Sequence, residues 1–86
     1  MMLGMSQTIP ALRGPYVRLR LGKLDEQAKA LGLASDAEIA GRLGLDRAVI
    51  SRLRSGDSNP GERFIAAAIA ELGVSFEYLF EIAEAS

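Results

Sequence analysis

The chain has 86 residues and a formal net charge of −1, with no cysteine and no histidine. That length supports one domain, and it leaves out disulfides and the usual zinc sites; the missing cysteine fits a reducing cytoplasm. No apolar run approaches the roughly 18 residues of a membrane span, and MMLGMSQTIP lacks the basic-then-apolar pattern of a signal peptide.

Charge is distributed unevenly. Residues 1–24 carry Arg13, Arg18, Arg20 and Lys23 and no acid. Residues 71–86 carry Glu71, Glu77, Glu81 and Glu84 and no base. A basic face and an acidic back are compatible with a net charge near zero.

Residues 1–14 hold three methionines, Gly4, Pro10 and Gly14 without any period, and are expected to form a flexible arm. Arg13 could then reach a phosphate or a minor groove. In residues 16–21, Val17, Leu19 and Leu21 alternate with Arg18 and Arg20, which is a strand period. Val17, Leu21, Leu24, Ala28 and Leu31 also make a helical stripe. Gly22 argues against one unbroken helix, so the reading adopted is a short strand and then a helix from about Lys23 to Leu31. A strand here needs a partner. The candidates are the C-terminal FEIAEA or the same segment of a second copy.

Ser35–Gly56 reads as two short helices joined by a tight turn. Ser35 is a good N-cap, and Glu38 three residues on completes a capping-box pattern. Ile39, Ala40 and Leu43 share a face. Gly44 follows where a left-handed residue ends the helix. Leu45 should tuck into the core, and Asp46 should cap the second helix. That helix has two unlike faces. Val49, Ile50 and Leu53 lie on one; Arg47, Ala48, Ser51, Arg52 and Ser55 lie on the other. Small residues allow close approach to a surface, and arginine offers a planar fork of donors that can pair bidentately with guanine.

GDSNPG at 56–61 is a loop signal. A helix from about Glu62 to Leu72 follows, with Phe64, Ile65, Ala68, Ile69 and Leu72 on one face. Ser75 should cap a last helix. Phe76, Leu79 and Phe80 would form one apolar edge of it and Tyr78 and Ile82 another, with Glu77, Glu81 and Glu84 in solvent. Two apolar edges exceed what one small core needs, so Phe76, Tyr78, Phe80 and Ile82 are expected to make a dimer contact.

The motif resembles the helix-turn-helix of the lambda repressor and Cro (Xre-like) family. Ile39, Ala40, Leu43, Gly44, Leu45, Ile50 and Leu53 carry the likeness. It continues through Ser55-Gly56, Pro60, Arg63-Phe64-Ile65 and Leu72-Gly73-Val74-Ser75 to Phe76–Leu79, covering about residues 24–80. The resemblance implies an all-α, compact five-helix domain over residues 15–86, with one short strand at about 16–21 as a departure. The resemblance is to a Cro-like size, and no second domain is expected within these residues. It also implies a regulator, working in the cytoplasm, that reads a near-palindromic operator on double-stranded DNA as a homodimer. Arg47, Ala48, Ser51 and Arg52 would read bases. Ser35, Asp36, Ser55, Asn59 and Arg63 would lie near phosphates, although the Asp36 carboxylate would oppose one.

An alternative is a protein-binding module on the same fold, such as an antitoxin with a toxin partner, which the apolar C-terminal edge and acidic tail favour. Enzymatic chemistry is not expected. Ser51 and Ser55 have no base to activate them, and the adjacent Asp25 and Glu26 diverge on a helix. No cofactor, metal or membrane partner is expected either.

Overall fold

The structure is a computed structural model and describes residues 14–85. A first strand, β1 (Gly14–Leu19), leads into helices α1 (Leu21–Ala30), α2 (Asp36–Leu43), α3 (Arg47–Ser55), α4 (Glu62–Leu72) and α5 (Phe76–Leu79), and the chain closes with β2 (Phe80–Ala85). Five helices are therefore present among the described residues, but the fold is not all-α. Among the described residues no helix is long and apolar enough to cross a membrane. The proposed arm, Arg13 included, lies outside the described residues, except that Gly14 opens β1.

The two strands pair antiparallel, with Leu19 opposite Phe80, Arg18 opposite Glu81 and Val17 opposite Ile82. Of the two partners the sequence allowed, the structure uses the chain's own C-terminus. Directly opposite residues share a face, so Leu19 and Phe80 point inward together and both are buried. A lone two-stranded ribbon is marginal in water. This one is anchored by that pair and by an Arg18–Glu81 ion pair across the strands at 2.7 Å.

The last segment departs from expectation. The helix begun at Ser75, whose hydroxyl accepts from the Tyr78 amide at 3.1 Å, stops after four residues. At Phe80 the backbone becomes extended, with φ −127° and ψ 160°. The switch carries the Phe80 ring into the core, edge-on to Phe64 at 6.1 Å and stacked on Phe76 at 5.1 Å. Phe80 is 1% exposed, so it is a core residue and not a free dimer contact. Phe76 and Tyr78 are half-buried against the same core, and the Lys23 ammonium sits 5.4 Å from the centre of the Tyr78 ring. Ile82 is 61% exposed.

Strand β1 ends before residue 20, and α1 starts earlier than the sequence suggested. Gly22 thus falls in the first turn of α1, where its helix penalty matters less than in an interior. Leu24 and Ala28 of α1 are buried with Ile39, Ala40 and Leu43 of α2, Ile50 and Leu53 of α3, and Phe64, Ala68 and Leu72 of α4. The Gln27 side-chain amide donates to the Leu72 carbonyl at 2.8 Å, satisfying an acceptor that the end of α4 would leave open.

Ala40 is 2% exposed within this core, on one of two helices that pack together. Ala40→Leu should therefore overpack it and lower stability by about 1–3 kcal/mol, read as a shifted urea midpoint. An unchanged midpoint would mean that the two helices leave room there.

Candidate nucleic-acid interface

Local chemistry sets α2 and α3 in place. The Ser35 hydroxyl accepts from the Glu38 amide at 3.2 Å. Glu38 reaches back to the Ala34 amide at 2.7 Å, so the box closes one residue earlier than the usual reciprocal pair. Gly44 has φ 71°, the left-handed conformation its position in the turn suggested. The Leu45 amide donates to the Ala40 carbonyl at 2.9 Å, and Leu45 packs against the core. Asp46 stands at the N-cap of α3 in extended conformation, but its carboxylate makes no capping bond. Gly56, with φ 82°, ends α3.

With Ile50 and Leu53 buried and Val49 half-buried, α3 turns Arg47, Ala48, Ser51, Arg52 and Ser55 to solvent. The four residues expected to read bases line one open cleft together, and Asp36 is its remaining wall. Arg52 also borders a second cleft with Asn59 and Arg63. Both are exposed, and the shared cleft places Asn59 and Arg63 beside α3. Ser35 is exposed at the other end of the motif, and it shares a separate cleft with Asp36 and Arg54. The Ser55 hydroxyl donates to the Arg52 carbonyl at 3.1 Å; its lone pairs stay open but its proton is committed.

Sequence reasoning did not single out Arg54. Its Nε donates to both Asp36 carboxylate oxygens at 3.0 and 2.9 Å, and its Nη2 donates to Asp25 at 2.7 Å. Those bonds, to Asp25 first and then Asp36, hold the guanidinium charged beyond its already high range. Arg54 therefore ties α1, α2 and α3 together from the C-terminal end of α3. It also explains how Asp36 is accommodated at the start of α2. The carboxylate is half-buried and spoken for by a cation, so it is not a bare charge facing the groove. The partners lie 18 and 29 positions away, and no local spacing announces them.

A protein-family model described as Helix-turn-helix matches residues 24–79, well over half of the chain. No curated protein and no solved structure matches it.

Proposed function

Since the chain belongs to the lambda repressor and Cro (Xre-like) helix-turn-helix family of DNA-binding regulators, we propose that it reads a near-palindromic operator as a homodimer. In this reading α3 enters the major groove. The observation that carries it is the shared cleft of Arg47, Ala48, Ser51 and Arg52 on the exposed face of α3. Two arginines stand among short residues there, which allows the helix close approach to base edges. Ser35, Ser55, Asn59 and Arg63 then serve as backbone contacts around it, with Asp36 held back by Arg54. Repression follows from occupancy, because a dimer on the operator excludes another protein from the same grooves. The work is done in the cytoplasm.

Ile82 supports the dimer: it is the exposed large hydrophobic among the described residues, and Phe76 and Tyr78 are half-buried on the same C-terminal segment. Two copies related by a two-fold axis would place their α3 helices about 34–36 Å apart, one helical turn of DNA. Selection from randomised duplexes should therefore return half-sites with inverted repeats about 10 base pairs apart. Sedimentation of the chain with the selected duplex should give two copies per site. A chain that stays monomeric both free and on its best duplex would remove the dimer.

The same exposed Ile82 favours the antitoxin-type reading as the second choice, with a toxin in place of the second copy. A purified chain that is a stable dimer with no bound toxin counts against it.

A further inference from the structure

The β1–β2 ribbon flanks the matched residues 24–79 at both ends, so it is an addition to the family core. Its position gives it a use. A cleft of about 320 Å³ separates β1 from the last turn of α3 and the loop behind it. Tyr16, Arg18, Arg54, Ser55, Ser58 and Asn59 supply its polar lining. The rest of the lining is leucine, glycine and proline, and no carboxylate is part of it. Such a surface offers a guanidinium, hydroxyls and an amide to an anion, and the nearest opposing charge on the ribbon side is Glu81, which sits against Arg18 and not in the lining.

The cation on the ribbon side is Arg18. Its side chain is 56% exposed. Nε and Nη2 are both directed at Glu81, at 2.8 and 2.7 Å, and among the described residues Nη1 has no hydrogen-bond partner. Arg20 shares that carboxylate at 3.4 Å, so two guanidiniums stand on one acid and a positive charge is left over. Glu81 thus orients Arg18 and leaves the Arg18–Arg20–Glu81 group with one positive charge, while Glu84 lies on the other ribbon face. Ser55 and Asn59 across the cleft are the residues placed beside the DNA backbone above.

We propose that this cleft holds a phosphodiester of the operator backbone, with Arg18 as its cation and Tyr16 as a second donor. The ribbon thereby widens the DNA footprint beyond the family core. This inference rests on the DNA-binding reading of α3.

The test is a salt series on the full chain with two DNAs, the selected operator and a random duplex. Losing one phosphate contact flattens the slope of log affinity against log salt by about 0.9. Arg18→Ala should do so on both DNAs, with its folded state checked by circular dichroism. Glu81→Gln should tighten binding to both at fixed salt. Glu84→Gln makes the same change of charge on the opposite ribbon face and should leave binding as it was. A folded Arg18→Ala with an unchanged slope overturns the site. Glu81→Gln and Glu84→Gln with equal effects, or with none, overturn it as well, and this pair decides should Arg18→Ala fail to fold. Wild-type chain that binds no duplex at all would instead sink the reading of α3. Wild-type binding that is selective through Arg52, alongside an indifferent Arg18→Ala, would sink the ribbon site alone.

Discussion

Phe80→Ala should lower stability by about 3–5 kcal/mol, the usual cost of emptying a buried phenylalanine site. Small domains have about 5–15 kcal/mol in all, and one of this size sits toward the low end. The variant should therefore be largely or wholly unfolded at moderate temperature. The ring is 1% exposed, is flanked by Phe64 and Phe76, and stands opposite Leu19 in the ribbon. Its loss opens a cavity where α4, α5 and both strands meet, and it removes the anchor that makes a two-stranded ribbon worth forming. Ile82→Ala, two residues on, should move stability by less than about 0.5 kcal/mol, because its side chain is mostly in solvent. Urea unfolding of the two variants separates the roles. A Phe80→Ala chain with a wild-type midpoint and a lost dimer would place Phe80 at an interface after all.

Phe80 also shows where the sequence was ambiguous. Glu77, Glu81 and Glu84 recur at helical spacing, and Phe80 and Ile82 at strand spacing, in the same few residues. Periodicity alone cannot choose between them. The choice is made by β1, some sixty positions earlier, which supplies the hydrogen-bond partners that an extended Phe80–Ala85 needs. Strand β1 itself was legible from its alternation, though placed at 16–21 where it runs 14–19. A displacement of two residues keeps Val17 and Leu19 on the inner face, so the alternation survives the error. The motif was the most legible part because its signals are local: a serine cap three residues before its glutamate, and a glycine at the turn. Asp46 was placed correctly but for the wrong bond, since its carboxylate caps nothing. Arg54 was illegible because a salt bridge between three helices leaves no spacing behind. The four residues that share the cleft on α3 could be grouped in advance because they lie within two turns of one helix, whose inner face is marked by Ile50 and Leu53.

Grouping residues on a face does not establish that they read sequence, and the arginines should show the difference. Arg47 and Arg52 are exposed on α3 with Ala48 and Ser51 between them. A bidentate arginine–guanine pair gives about 1–3 kcal/mol of discrimination, or roughly 5- to 150-fold. Arg52→Ala should weaken the selected site by that factor and a random duplex much less. Arg63 is exposed at the start of α4 and shares its cleft with Arg52 and Asn59. That position suits a phosphate and not a base edge. Arg63→Ala should weaken both DNAs by similar factors and flatten the salt slope by about one unit. The two mutants cross over only when affinity and salt slope are measured on both duplexes, since a single affinity on one DNA would confuse them. Among the described residues neither arginine is tied down in the way Arg54 is, so their removal should leave the fold intact and the change in binding can be read directly. If Arg47→Ala and Arg52→Ala each lower operator and random binding equally, α3 does not read sequence, and the chain becomes a backbone-binding or protein-binding module on the same fold.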